Sequence, residues 1–178
     1  MRLRWWRKRA PRLLMVCALF AALSGVSAVQ APPAAAACHD VGCNGLNPNV
    51  HCQGIYTVPA EEFIRLNSTS EMYLQVRYSG PCAAFWGRVT ADTCSDHRPP
   101  QYIRIQRQLY SYYGWYTANT YYSAQVSCAG AQQVTPMVAN YGNDRVRAST
   151  GWSWDGRSPA SMPEGWWDYH TDWVEFYG

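Results

Sequence analysis

Cys38, Cys43, Cys52, Cys82, Cys94 and Cys128 are the side chains best placed to do chemistry in this chain of 178 residues. Thiols in this number either join as disulfides or ligate a soft metal ion. Cys38 beside His39, Cys43, and Cys52 beside His51 crowd together as a metal centre would require. Their spacings are C-x4-C and C-x8-C, whereas zinc sites use tighter pairs such as C-x2-C with a matched second pair. With Cys17 set aside in the N-terminal leader, the six that remain in an exported chain read instead as up to three disulfides, with fifteen possible pairings. No metal or cofactor is expected.

Other reactive patterns fall short of a catalytic site. Gly151-Trp-Ser153-Trp-Asp155 approaches the nucleophile elbow G-x-S-x-G, but Asp155 stands where the tight turn needs its second glycine. Glu61/Glu62 and Asp168/Asp172 are paired acids, and glycoside hydrolysis needs two carboxyls a few ångströms apart. Paired acids of this kind are far commoner on surfaces than in active sites. His39, His51, His97 and His170 are isolated, and neither a phosphate-binding glycine loop nor an H-E-x-x-H pair occurs. The pattern argues against an enzyme and leaves a small secreted hydrolase as the weakest functional reading.

The start of the chain explains why disulfides are expected. Residues 1–12 hold five arginines and the only lysine, Leu13 to about Val26 is apolar, and Val26-Ser27-Ala28 is a small-x-small exit. A basic head, a short apolar run and such an exit describe a secretory signal peptide over 1–28, with cleavage as late as 37. A membrane span needs about 20 apolar residues, so none is expected once the leader is removed. An Ala/Pro-rich linker, 29–37, would follow. Nine arginines against twelve acids then leave a net charge of −3. Without lysine, that balance is a poor neutraliser of phosphates and disfavours nucleic acid.

The elements that must position these residues have a period of two. Met72, Leu74, Val76 and Tyr78 alternate with polar neighbours, as do Ile103, Ile105 and Leu109, and Tyr122, Ala124, Val126 and Cys128. Each run pairs one apolar with one polar face, as a half-buried strand does. Ser79-Gly80-Pro81, Asp96 to Pro100 and Tyr113-Gly114 supply turns. The expected fold is all-β and mainly antiparallel, a small disulfide-stapled sandwich or barrel over 38–150. Only Pro59 to Leu66 reads as helical within that range.

Aromatic residues mark two contact regions. Six tyrosines and Trp115 lie between Tyr110 and Tyr122, interleaved with small polar residues; Tyr112, Tyr113, Trp115 and Tyr116 are the candidate contacts. Such mixtures give large contact area for little lost rotamer freedom. An aromatic-rich C-terminal extension, 151–178, carries Trp152, Trp154, Trp166, Trp167 and Trp173. Ser161 and Glu164 have capping-box spacing for a helix, yet Trp167, Tyr169, Thr171 and Trp173 also alternate as a strand. The extension either covers an apolar face or presents rings to a partner or to sugars.

Cys38-x4-Cys43-Asn-Gly-x-Asn-Pro48-x3-Cys52, then Leu74-Gln-Val-Arg77-Tyr-Ser-Gly-Pro-Cys82-Ala-Ala-Phe-Trp86-Gly-Arg88-Val89, then Val134-Thr-Pro-Met-Val138, resembles the DUF2690 family of exported actinobacterial and related bacterial domains. The similarity runs from about Cys38 to Ala148. It implies an extracytoplasmic β-rich domain and no catalytic residue. Asn47 and Ser149 depart from that pattern, and Cys94 and Cys128 look like additions. The departures imply a private Cys94–Cys128 pair, with the first four cysteines bridging among themselves. Arg77, Trp86 and Arg88 flank the Ser-Gly-Pro turn; Trp86 and Arg88 share a strand face, which places a stacked pair there, as a structural corner or a ligand site.

These features describe a secreted, extracellular, non-enzymatic binding module. Its expected partner is another secreted or cell-surface protein, bound as by an adaptor or subunit; the alternative is a cell-envelope glycan.

Overall fold

Alternation of apolar and polar residues becomes two antiparallel sheets in the computed structural model, which describes residues 38–54, 56–65, 71–91, 101–126 and 132–177. The first sheet holds β1 (Thr57–Arg65), β2 (Glu71–Ser79), β3 (Ala84–Ala91) and β6 (Gln132–Val134) in that spatial order, with β7 (Val138–Ala139) also paired to β3. The second runs β10 (Val174–Phe176), β8 (Asp144–Trp152), β4 (Gln101–Ser111), β5 (Gly114–Tyr122), with β9 (Tyr169–His170) paired to β8. The fold is all-β, a sandwich stapled by disulfides. Met72, Leu74, Val76, Phe85 and Val89 from one sheet meet Ile103, Ile105, Val146 and Ala148 from the other in a single core. Burying each large apolar side chain is worth about 1.5–3 kcal/mol, so these alternating positions dominate the stability.

Two local expectations are corrected. Pro59 to Leu66 is no helix: through Arg65 it belongs to edge strand β1, paired with β2 from Thr57↔Tyr78 to Arg65↔Glu71. The register slips between Thr57 and Ala60, which is where Pro59 sits. Proline is tolerated at such an irregularity because no ladder hydrogen bond is demanded of it. The long cross-strand register outweighs a weak local helix preference. Likewise β5 ends at Tyr122, and the chain then turns inward, its Val126 N–H donating to Gln101 O at 2.8 Å. Cys94, Cys128 and their implied pairing lie outside the described residues.

The segment Cys38–Cys52 packs against the first sheet. At the N-terminal side, Asn47 caps a single-turn helix, Pro48–His51, its side chain accepting from the Asn49 N–H at 2.9 Å with proline in the first turn. Disulfide Cys38–Cys43 closes this segment on itself, and Cys52–Cys82 ties it to the β2–β3 turn. A second small core of Cys43, Cys52, Cys82, Ala84, Trp86 and Met137 results. The sulfurs of Cys38, Cys43 and Cys82 lie within 4.8 Å of one another, the closeness a metal site would need, but here each is bonded to another sulfur.

The C-terminal extension is continuous with the sandwich. A boundary at residue 150 would cut β8, and β9 and β10 lengthen the sheet along the edge of β8. The helix that the spacing of Ser161 and Glu164 proposes does not form; short 3-10 turns, Pro159–Ser161 and Glu164–Trp166, stand there instead. Pro163 and Gly165 are poor helix interior residues. Glu164 reaches the arginines of the sheet rather than back to Ser161. Gly151 makes the close approach possible: a Cβ there would lie 2.2 Å from the Trp166 carbonyl oxygen.

Candidate functional site

The outer face of the second sheet carries a ladder of alternating arginines and rings. Arg145 and Arg147, two apart on β8, point the same way, as strand alternation dictates. The Arg145 guanidinium lies 4.5 Å from the Trp115 ring and 4.4 Å from the Trp173 ring. Arg147 sits 4.6 Å from the same Trp173 ring, and Arg104 of β4 lies 4.5 Å over Trp167. Tyr122 continues the row, 5.7 Å from Trp167, and Tyr110 closes the other end, edge-on to Trp115 at 5.2 Å. Each desolvated cation–ring contact contributes about 0.5–2 kcal/mol, so the row clamps the extension onto the sheet.

Glu164 completes the clamp. Its carboxylate accepts two hydrogen bonds of 2.5 Å from Arg104, whose side chain is 3% exposed, and one of 3.5 Å from Arg147. Arg104 holds the Glu164 carboxyl below its ordinary range. Nearby His170, whose Nδ1 lies 2.8 Å from Ser149 Oγ, is pushed below its ordinary value near 6.5, first by burial and then by Arg147 and Arg104. The unfolded chain therefore takes up protons at His170 more readily than the folded one. Stability is lost as pH falls through 6.5 toward the folded value, and again below 4.5 as Glu164 protonates. Buried Asp144 works the other way, its carboxyl raised above 3.8 chiefly by burial, so that protonation favours the fold. The thermal midpoint is expected to fall between pH 7.5 and pH 5.5, and His170→Gln to flatten that interval while leaving the steeper loss at lower pH. An unchanged slope in the variant would remove His170 from the account.

Beyond the ladder the β4–β5 hairpin projects. Ser111 pairs with Gly114, leaving Tyr112 and Tyr113 as the turn. Gly114 takes φ +101°, a conformation that side chains strain. The Ser111 hydroxyl locks the turn from both sides, accepting from the Tyr113 N–H at 3.3 Å and donating to Gly114 O at 3.0 Å. Tyr112 and Tyr113 are 96% and 95% exposed, edge-on to each other at 5.4 Å. Tyr110 and Tyr116 are also largely exposed. Beside the hairpin, Tyr110, Trp115, Asn143, Glu175 and Tyr177 line a half-open cleft of about 470 Å³. Asn143 is held by a tight turn in which both it and Gly142 have positive φ, and its carbonyl accepts from the Tyr110 N–H. The Tyr177 hydroxyl donates to Glu175.

The aromatic residues singled out by sequence thus divide. Tyr112, Tyr113, Tyr116 and Trp154 are exposed; Trp115, Trp166 and Trp173 are half-buried; Trp152 and Trp167 are buried. The last two serve the fold, Trp152 in the main core and Trp167 under Arg104, and are corrected from contacts to supports. The block around the Ser-Gly-Pro turn is also corrected in detail. Arg77, paired across the strands with Trp86, stacks 4.0 Å over Tyr56, whose ring meets Trp86 edge-on at 6.1 Å. The stack therefore belongs to Arg77 and Tyr56 rather than to Trp86 and Arg88, because Trp86 is turned under the disulfide-bonded segment.

Sequence reasoning passed over Arg104, Arg145, Arg147 and Glu164, and the cleft residues Asn143, Glu175 and Tyr177. Arginines at Arg145 and Arg147 with strand spacing, beside a tryptophan-rich tail, were the available signal for the ladder. Buried Arg107 was passed over too; it donates to Ala139 O at 2.8 Å and stacks 4.1 Å over Tyr141. Among the described residues no helix is long and apolar enough to cross a membrane, and the two disulfides fit an oxidising compartment. Comparison with family models, with curated proteins and with solved structures finds no match to this chain.

Proposed function

We propose that this chain is a secreted, non-enzymatic binding module that docks another exported protein through the tyrosine tip of the β4–β5 hairpin. The single observation that carries the reading is the near-complete exposure of Tyr112 and Tyr113 on a turn fixed by Ser111 and Gly114. Exposed rings cost a monomer solubility, and a contiguous group of them marks a contact surface. Rings on a fixed turn lose little freedom on binding, so most of their burial is retained as affinity. The resemblance to the DUF2690 family implies the same extracytoplasmic setting.

The test is a comparison of the wild-type protein with Tyr112→Ser/Tyr113→Ser as baits in native culture fluid. A specific exported protein should be retained by the wild type and at least about tenfold less by the double variant, as losing two anchor rings requires. Both tyrosines are outside the core, so the melting temperatures should agree. Equal retention by the two baits would reject the tip as the contact surface.

A further inference from the structure

Beside the tip, the cleft has chemistry of its own that a protein-docking surface does not use. It is lined by Tyr110, Trp115 and Tyr177, which bring aromatic rings, and by Glu175 and Asn143, which bring a carboxylate and an amide. A volume of about 470 Å³ falls within the range of small-ligand sites, roughly 300–1,000 Å³. The charge at the cleft decides among ligand classes. A cation would find three electron-rich rings and a carboxylate, but the Arg145 guanidinium already occupies Trp115 at 4.5 Å and would repel it. An anion would meet Glu175. Arg145 and Glu175 stand opposite each other in the β8–β10 register, so their formal charges offset beside the cleft.

What remains is a site for a neutral molecule with an apolar face and a hydroxylated edge. The C–H face of a pyranose carries slightly positive hydrogens suited to the negative faces of the rings. Its hydroxyls would donate to Glu175 and exchange hydrogen bonds with the Asn143 amide, both held by the backbone elements described above. We infer that the cleft between the β4–β5 hairpin and the end of β10 binds a neutral sugar ring of an oligosaccharide. The site does not include Tyr112 or Tyr113, and it stands whether or not a protein docks at the tip.

The test is titration of the purified protein with the N-acetylglucosamine tetramer, cellotetraose and mannotetraose, followed by calorimetry and by amide shifts. At least one should bind saturably, with shifts centred on Asn143, Glu175 and Tyr177. Tyr177→Ala and Glu175→Gln should each weaken that binding by about tenfold or more, the loss of one ring platform or one charged acceptor. Both positions are exposed, so unchanged melting temperatures will show that the variants are folded. Tyr112→Ser/Tyr113→Ser should bind the sugar as the wild type does, which separates this site from the tip. Choline and inorganic phosphate should not bind. No saturable binding of any of the three oligosaccharides to the folded protein, binding unaffected by Tyr177→Ala and Glu175→Gln, or preferential binding of choline or phosphate would each overturn the inference.

Discussion

Replacing Gly151 with alanine is expected to cost about 3 kcal/mol of stability, the upper part of the range for forced over-packing. The added Cβ would stand 2.2 Å from the Trp166 carbonyl oxygen and 3.0 Å from the Trp167 Cα. Both are backbone atoms, so no side-chain rotation relieves the contact. The extension has to lift from the sheet, and with it go the contacts of Arg104 with Trp167 and Glu164. Trp167, 2% exposed in the native arrangement, would then meet water. The variant should therefore show a red-shifted tryptophan emission and a midpoint lower by roughly 10 °C. A variant with native emission and an unchanged midpoint would mean that the extension is not held as described.

The second large effect concerns the sulfur bridges, which differ in what they constrain. Cys52–Cys82 closes a separation of 30 residues and Cys38–Cys43 one of 5. Loop-closure entropy assigns about 3.5 kcal/mol to the longer loop and about 2 kcal/mol to the shorter. Cys52→Ala/Cys82→Ala should thus lower the unfolding free energy more than Cys38→Ala/Cys43→Ala, measured by denaturant titration at one pH. The longer bridge also ties the N-terminal segment to the β2–β3 turn and covers Trp86, so its loss should expose that ring as well. The reverse order of the two effects would mean that local packing, rather than chain constraint, governs this end of the molecule.

The strands were legible because their evidence lies in adjacent residues. Met72, Leu74 and Val76 need only their own alternation to name the inward face of β2, and Tyr113-Gly114 names the hairpin turn. The fate of Pro59 to Leu66 depended on a partner, β2, and local preference alone pointed to a helix. The tail was ambiguous for the same reason. Trp167 and Glu164 take their positions from Arg104, 60 residues or more away in the chain, and no periodicity within 151–178 encodes that meeting. Tyr112 and Tyr113 could be nominated as contacts from composition; which rings remain outside was decided by the projection of the hairpin. The cleft was invisible because it joins β4, β5, the turn before β8 and the end of β10, whose polar members look like ordinary surface residues.

The proposed contact role of the tip is tested most directly by site-specific photocrosslinking in native culture fluid. A benzophenone side chain placed at Tyr113 is compared with one at Phe63, which is exposed on the outer face of the first sheet. A discrete adduct with an exported protein is expected from position 113 and none from position 63. An adduct formed only from position 63, or no adduct from position 113 in folded protein, would contradict it.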